Sequence, residues 1–566
     1  MSDYFDAEMR LLQETAQEFA RAFPEKAGML NLEELKDRDP YVERLLEGMA
    51  FLTAQVKERI DDDVPEISET LLSNLWPHFL RPFPSLTIAQ FYPRQGQLQK
   101  THLLNKGAVL MSSPVGEDGA ICRFRTTSKV ELQPLRLSRF ALEEAGHGGS
   151  VMTLGFQLDA GIFAASLDLQ ELKLYLHADP VVAMAMYQAL TSKIYRVQVG
   201  FPGQSAPFEE LGGQQAVSPC HLGADELLLP SSGRSFHGFH LLQEYFCFRE
   251  KFQFVCISGL ERIAWPKNCS EFEISIHFDG LIDSDFRLGK DNFRLFCAPA
   301  VNLYNSSSEP VNLSHRRTEY TLLADAAARD GVQIYSVDGV TGTDVGSGRR
   351  TTYSSLHSFR HETGRGRFYQ VRRRGTEGLR PSTRLAVGGN LNYARETLSC
   401  DITVSNGDYP RQFLQVDNIR IPGPDLPSFL QVGNITRPSR MLSPPRRKEF
   451  RMALISHLAV NFSSLCAAED FQRLLSLYDW SGLPQNQRRI EGIMKVEIKP
   501  VNRIRRGALV RGVALTLTLK EENYLSEADI YLFGTVLHHF MAMHAPINTF
   551  VESSLLLSPS NRELKC

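Results

Sequence analysis

Two helical stripes of apolar residues stand out in the first ninety residues of the chain. Both repeat at spacings of three and four, which is typical of one face of an amphipathic helix. The first stripe consists of Phe5, Met9, Leu12, Ala16, Phe19 and Phe23, and the second of Val42, Leu45, Met49, Leu52, Val56 and Ile60. Asp39-Pro40 places a carboxylate at the N-cap and proline at the first helical position, so the second helix is predicted to begin there.

These stripes suit a partner helix better than a broad sheet. We therefore interpret the N-terminal segment as a docking element that enters a bundle with another chain. The alternative is that the stripes are the core of the chain's own N-terminal domain. Pro77, Pro82 and Pro84 then direct the chain out of this segment.

From Leu86 onward the pattern changes to short β-branched and aromatic runs separated by Gly, Pro and Ser. Predicted strands include residues 86–92, 121–126, 151–158, 172–177, 272–278, 333–337 and 513–519. Helices are predicted at 180–190, 465–478 and after Ser526, whose hydroxyl is a suitable N-cap. Residues 200–229 are predicted to be a long surface connection, and the Pro-rich residues 422–445 an internal linker.

The fold class predicted from this order of elements is multidomain α+β. We place an N-terminal helical docking segment at 1–85, a β-rich domain at 86–240, a second β-rich domain at 241–435 and a C-terminal α/β domain at 436–566. A chain of 566 residues is too long for one core, and 43% hydrophobic with 22% charged residues is ordinary for a globular protein.

Composition narrows the setting. The net charge of -3 argues against general nucleic-acid binding, and no apolar run is long enough to span a membrane. The acidic N-terminus does not resemble a signal peptide. The nine cysteines are scattered, most of them among apolar residues, which predicts reduced, buried thiols and a cytoplasmic protein.

No catalytic, cofactor-binding or metal-binding constellation is evident. The chain lacks a phosphate-binding GxxxxGK[ST] loop, a GxSxG elbow and an HExxH helix. The histidine groups His237/His240 and His538/His539/His544 are interpreted as hydrogen-bonded or partly exposed side chains rather than metal ligands. Asp61-Asp62-Asp63 is interpreted as a solvated helix end.

One charge feature calls for a functional hypothesis. Residues 345–374 are rich in Gly and Ser and contain eight arginines against one acid, Glu362. Such a stretch is either a mobile, solvated loop or a surface that pairs with carboxylates of a partner. We expect Arg372, Arg373 and Arg374 to contact an acidic face of another protein, without contributing to the stability of this chain.

Several motifs resemble the TssF family, the type VI secretion baseplate subunits also called ImpG or VasA. They include the N-terminal Tyr4-Phe5 and Asp39-Pro40 segments, Trp76-Pro77-His78-Phe79-Leu80-Arg81-Pro82, Leu241 to Phe246, Arg249 to Phe254, Phe296 to Tyr304, Tyr531 to Leu537 and Ile547 to Phe550. The segment Ser405 to Pro410 and the arginine-rich stretch depart from the family pattern. Together the motifs extend over nearly the whole chain.

The resemblance implies a structural wedge subunit and no enzyme activity. Two copies would join one TssG, and the wedge would carry TssK and TssE. Six wedges would surround a spike hub and template the contractile sheath and tube. The protein would then be cytoplasmic, meeting the inner membrane only through the docked complex, and would use no cofactor and no nucleic acid. The N-terminal stripes would meet TssG helices.

Two other classes of function stay open. The first is a β-rich cytoplasmic enzyme, such as a hydrolase, with an unrecognised site. The second is a nucleic-acid-binding module that uses the arginine-rich stretch.

Overall fold

The computed structural model describes residues 40–63, 76–445 and 467–565, together with positions 5, 9–12, 72–73, 450 and 453–454. The gaps inside these ranges are 118, 147, 204–207, 231–235, 284, 326–330, 357–365, 375–381, 390–394, 506–507 and 546–548. The chain divides into two compact units. One comprises Met1–Asn74 with Arg446–Leu458, and the other Leu75–Pro445 with Ala459–Cys566.

The longer α-helices begin where the sequence predicts. Helix α1 begins at Pro40, α2 at Pro180, and the Ser526 hydroxyl accepts a hydrogen bond from Asp529 N (3.3 Å) before the last helix. The helices are α1 Pro40–Asp63, α2 Pro180–Ser192, α3 His237–Cys247, α4 Tyr409–Phe413, α5 Ala468–Tyr478, α6 Pro484–Glu491 and α7 Glu527–His544. Of the first predicted helix, position 5 and residues 9–12 are helical and the rest lies outside the described residues.

Strands make up most of the larger unit. Those before residue 302 are β1 Leu86–Pro93, β2 His102–Leu104, β3 Val109–Met111, β4 Arg123–Thr126, β5 Val130–Leu132, β6 Leu135–Glu144, β7 Ser150–Leu158, β8 Glu171–Leu176, β9 Ile194–Gly200, β10 Glu209–Gly212, β11 Val217–Pro219, β12 Phe254–Ser258, β13 Glu271–Phe278, β14 Phe293–Leu295 and β15 Cys297–Val301. The later ones are β16 Tyr304–Ser307, β17 Val311–Leu313, β18 Tyr320–Leu322, β19 Gln333–Asp344, β20 Arg350–Ser355, β21 Arg367–Arg374, β22 Ser382–Gly389, β23 Glu396–Ser405, β24 Ile421–Pro422, β25 Leu430–Asn434, β26 Ile493–Arg505, β27 Ala508–Lys520, β28 Phe550–Ser558 and β29 Glu563–Lys565. These helices and sheets confirm the α+β class.

A six-stranded sheet gathers distant parts of the chain in the order β24-β3-β4-β15-β1-β25. Its core includes Phe91, Phe124 and Ala298, all fully buried. Because β15, β24 and β25 pair with strands from 86–126, the sheet extends across the domain boundary predicted at 240/241. The predicted linker at 422–445 is also wrong, since Leu430 and Val432 are buried in this core.

Two further sheets likewise contain strands from both predicted β-rich domains, 86–240 and 241–435. Their orders are β10-β9-β13-β7-β6 and β11-β12-β8-β14. In β13 the side chains alternate between buried and partly exposed, as its sequence pattern predicts. Residues 200–229 are not a purely surface connection, because they supply β10 and β11 and bury Leu227, Leu228 and Leu229.

β2 and β5 form a separate two-stranded sheet, and two larger sheets are each contiguous in sequence. One has the order β16-β23-β19-β20-β21-β22-β18, with β17 also pairing with β23. The C-terminal sheet has the order β26-β27-β28-β29, and α7 connects the parallel strands β27 and β28. Leu515, Leu517 and Leu519 line the buried face of β27. Together with α5, α6 and α7, this sheet confirms the predicted mixed α/β character of this part.

The described cysteines are all free thiols. Cys122, Cys220, Cys256, Cys269, Cys297 and Cys400 are buried, as predicted, whereas Cys247 is only half-buried. Within the described part of the chain, every helix is too short or too polar to cross a lipid bilayer.

Candidate interaction sites

Helix α1 exposes large apolar side chains on one face. Leu45, Met49 and Leu52 are 69%, 54% and 63% exposed. At 100° per residue these three positions fall within about 60° of the helix circumference. Ala50 and Ala54 lie on the opposite face and are fully buried. The helix therefore packs through its small residues and presents its Leu/Met stripe outward.

This geometry bears on the two interpretations of the second stripe. If the stripe were the core of this chain alone, Leu45, Met49 and Leu52 would be buried. The backbone of Val42 and Val56 belongs to the same helix, but their side chains lie outside the described atoms. From the first stripe Phe5, Met9 and Leu12 are half-buried, and Phe19 lies outside the described residues.

The arginine-rich stretch is not a loop over most of its described residues. It forms β20 and β21, which pair in parallel, and β21 pairs antiparallel with β22. The Arg367 guanidinium pairs with the Glu396 carboxylate, which also accepts a 2.8 Å hydrogen bond from the Tyr353 hydroxyl. Arg360 and Arg365 lie outside the described residues.

Successive arginines of β21 have different surroundings, because side chains alternate across a sheet. Arg372 lies 3.3 Å from the Glu319 carboxylate. Arg373 donates to the backbone carbonyls of Leu80 (3.4 Å), Ile334 (3.3 Å) and Tyr335. Burial and then the nearby Arg81 charge lower the pKa of Arg373 to about 10. The expectation that these arginines contribute nothing to stability is therefore wrong for Arg373; the side chain of Arg374 lies outside the described atoms.

A buried aromatic cluster joins segments that are far apart in the chain. We use the name junction for this cluster together with the ion pairs of Asp529 and Glu244 described below. The Phe239 ring of α3 stacks on Tyr478 of α5 at 5.2 Å and meets Trp76 edge-on at 5.3 Å. Phe79 contacts Tyr478 and also Trp480. The cluster thus fixes the 76–80 segment between α3 and α5. Edge-on and stacked ring pairs add stabilising free energy beyond that of burying the rings.

Five charged side chains form the polar part of the junction. Asp529, fully buried in α7, accepts a 2.6 Å hydrogen bond from Arg249 and a bifurcated one from Arg489 Nε of α6, which lies 3.0 and 2.9 Å from the two carboxylate oxygens. Burial alone would raise the pKa of Asp529, but the two guanidinium charges outweigh it and the pKa lies below its ordinary value. Beside them the buried Lys251 ammonium pairs with Glu244, and Glu244 accepts from Leu228 N at 2.7 Å.

Four of the five histidines singled out in the sequence make structural contacts. His240 stacks on His78 with ring centres 3.7 Å apart. His538 Nδ1 lies 2.9 Å from the Ser553 hydroxyl, and His539 Nδ1 lies 2.9 Å from the Thr535 carbonyl. His544 packs against Phe236 and Phe540. These contacts confirm the interpretation of His538 and His539 as hydrogen-bonded side chains.

Among the described residues, no three His, Cys, Asp or Glu side chains are grouped as metal ligands would be. One enclosed cavity, lined in part by Gln133, Leu172 and Cys297, has a volume of ≈ 30 Å³, which is below the range typical of substrate pockets.

Comparison with known proteins identifies the family of this chain. The family model described as "Type VI secretion system, TssF" matches residues 1–566. The chain belongs to the TssF family. It is 30% identical to the type VI secretion system component TssF1 of Pseudomonas aeruginosa (strain PAO1), over 98% of this chain and 96% of that protein.

Solved TssF-like chains share the fold. One, in a cryo-electron microscopy structure of a TssK–TssF–TssG baseplate subcomplex, is 30% identical with a TM-score of 0.79, covering 93% of this chain and 98% of the other. Another, in a type VI secretion baseplate complex, is 29% identical with a TM-score of 0.66, covering 100% and 97%.

The TssF-like motifs contribute several residues of the junction. The Trp76–Pro82 motif contributes Trp76 and Phe79, and the motif at 241–254 contributes Glu244, Arg249 and Lys251. Asp529 and Arg489 belong to none of the quoted motifs, so sequence reasoning missed them. The Ser526 N-cap is the nearest signal, because it places Asp529 in the first turn of α7.

Proposed function

We propose that this chain is a structural subunit of a type VI secretion baseplate. Its family and its resemblance to chains solved in TssK–TssF–TssG and whole-baseplate assemblies support this function. The chain would act by holding partners in place through packing rather than by bond chemistry. An enzymatic role has no comparable support, since the relatives it resembles are baseplate components.

The proposal extends to a specific arrangement. Two copies of this chain join one TssG to form a wedge, which carries TssK and TssE and meets the spike hub, the sheath and the tube. The wedge is cytoplasmic and docks at the inner membrane through its partners. Neither a cofactor nor nucleic acid takes part. These details follow from the family resemblance of the motifs.

The observation that carries the proposal is the outward stripe of α1. Leu45, Met49 and Leu52 are more than half exposed. Burying each such side chain in a partner stabilises a complex by roughly 1.5–3 kcal/mol. A 24-residue helix with a three-and-four-spaced stripe is suited to a helical seam, and we propose that TssG supplies the partner helix.

A charge in the stripe tests the proposal. The double variant Leu45→Asp/Met49→Asp is expected to remain folded, because both side chains are exposed, and to lose co-purification with TssG. The measurement is co-expression with TssG and TssK, followed by size-exclusion chromatography with light scattering, which also reports the two-to-one ratio. Gln55→Asp is the matched control, since Gln55 is exposed on the same helix outside the stripe.

Two outcomes would contradict this assignment. If the double variant still forms the complex with unchanged stoichiometry, the stripe is not the seam. If it becomes insoluble, the stripe is core of this chain, and its behaviour should then match that of Ala50→Asp, which places a charge on the fully buried face.

A further inference from the structure

Four arginines line an open cleft at the end of the β21–β22–β18 part of its sheet. The cleft has a volume of ≈ 540 Å³ and is lined by Arg316, Arg317, Thr318, Glu319, Arg372 and Arg384. Among these described lining residues, four guanidinium groups face one carboxylate, an excess of three positive charges. Only Arg372 belongs to the arginine-rich stretch, so the cleft is a product of the fold.

Strand register explains how the charges come together. Arg372 in β21 is directly opposite Arg384 in β22, and like charges in that position repel each other. Arg384 is in turn opposite Thr321 of β18, two residues after Glu319. Glu319 bridges both arginines, with oxygens 3.3 Å from Arg372 and 3.5 Å from Arg384. That carboxylate offsets part of the repulsion within the pair.

The Glu319 carboxylate does not accept hydrogen bonds from all the guanidinium N–H groups of the cleft. Each guanidinium carries five N–H donors and no acceptor. The buried Nε of Arg384 has no acceptor among the described residues. Arg316 and Arg317 are exposed on the segment before β18, and no hydrogen bond or ion pair of theirs occurs within the described part of the chain. The backbone of this segment is held in place, because His315 N donates to the Tyr320 hydroxyl at 3.1 Å.

We propose that this cleft binds an acidic peptide segment of a protein partner, with at least two neighbouring carboxylates paired to Arg316, Arg317 and Arg384. A guanidinium presents paired N–H groups that match a carboxylate. The chain as a whole has a net charge of -3, so the local excess is not part of a general positive field that would favour nucleic acid. The identity of the partner as a baseplate component rests on the proposed function, whereas peptide binding does not.

The test uses the purified full-length chain and a fluorescent oligoglutamate peptide, with binding followed by anisotropy at low and at physiological salt. Arg316→Gln/Arg317→Gln is expected to weaken binding roughly tenfold, as loss of two exposed ion pairs implies. Because neither side chain bonds to the described part of the chain, thermal stability should not change. Lys267→Gln/Arg287→Gln removes the same charge from exposed positions outside the cleft and should leave binding unchanged.

Glu319→Gln supplies a test of opposite sign. It removes the carboxylate that lines the cleft, so it is expected to tighten peptide binding, even though it lowers stability by exposing the Arg372–Arg384 repulsion. A purely structural ion pair would give the stability loss without tighter binding, and that result would overturn the proposal. Equal weakening by the cleft and control variants would overturn it too, because binding would then depend only on net charge.

Two competition experiments separate the acidic peptide from other anions. If inorganic phosphate displaces the peptide at concentrations where sodium chloride of equal ionic strength does not, the cleft is a small-anion site and the proposal fails. Tighter binding of a single-stranded oligonucleotide of equal charge would also refute it. None of these assays contains TssG or TssK, so failure here is distinguishable from failure of the α1 variants to assemble.

Discussion

Replacing Asp529 by asparagine is expected to open the junction. Asp529 accepts a bifurcated hydrogen bond from Arg489 Nε and another hydrogen bond from Arg249, and it also accepts from Leu525 N at 3.2 Å. An asparagine keeps the volume but removes the charge, and its NH₂ group faces a guanidinium donor. The buried Arg489 and the half-buried Arg249 are then left without this counter-charge. Removing one partner from such a buried pair lowers the free energy of unfolding by about 3–5 kcal/mol.

A combined variant separates two contributions to stability, the cost of an unpaired charge and the net stabilisation by the ion pairs. Replacing all three charges, in Arg249→Met/Arg489→Met/Asp529→Leu, removes the electrostatic requirement and retains apolar packing. Such replacements are often neutral or stabilising, so we expect the triple variant to be more stable than Asp529→Asn. The exposed pair Arg503–Glu552 is the control, and Glu552→Gln should change the free energy of unfolding by about 1 kcal/mol or less.

Tryptophan fluorescence provides a local assay. Trp76 and Trp480 lie in the junction, and Trp265 lies apart from it against Phe272. In a Trp265→Phe background, the emission during urea unfolding reports whether the junction opens before the rest of the chain. An Asp529→Asn midpoint equal to that of Glu552→Gln would refute the reasoning. So would a triple variant less stable than the single one.

The two remaining predictions concern acid stability and Arg373. Burial lowers the pKa of His221 to about 3, of His240 to about 3 and of His538 to about 4, from an ordinary 6.5. The unfolded chain takes up these protons below about pH 6.5 and the folded chain does not, so the free energy of unfolding should fall from pH 6.5 to about 4. Each histidine contributes up to about 1.4 kcal/mol per pH unit, and an unchanged slope in His221→Leu would contradict this account. Separately, Arg373→Glu would direct a carboxylate at the carbonyls of Leu80 and Ile334 and should lower the free energy of unfolding by about 2 kcal/mol or more, whereas Arg372→Gln should have a smaller effect in the same urea titration.

The parts of the fold that depend on local sequence were predictable. Helix α1 begins at Pro40 because proline suits the first helical position, and β13 follows the alternation of Phe272, Ile274 and Ile276. The domain boundaries were not, because they depend on which strands pair. The contact between Arg249 and Asp529 joins residues 280 positions apart, and no local pattern encodes it.

The α1 stripe shows a different limit. Spacing identifies an apolar face but does not say what covers it. A Leu/Met face is ordinarily the one that a protein buries in its own core. Among the described side chains of α1, the fully buried ones are Ala50 and Ala54, which are small and let other segments approach the helix closely. The larger Leu45, Met49 and Leu52 side chains stay exposed, a division that only burial in the folded chain reveals.

The arginines show most clearly why charge counted along a sequence differs from charge on a surface. Within one strand, Arg373 donates to backbone carbonyls of its own chain, while its neighbour Arg372 pairs with Glu319. Most of the positive charge of residues 345–374 that the structure describes is therefore not displayed as one patch. The excess charge instead comes from Arg316, Arg317 and Arg384, which are scattered in sequence but are brought together by the register of β21, β22 and β18. A search for partners of this chain should accordingly start from the cleft rather than from the stretch with the most arginines.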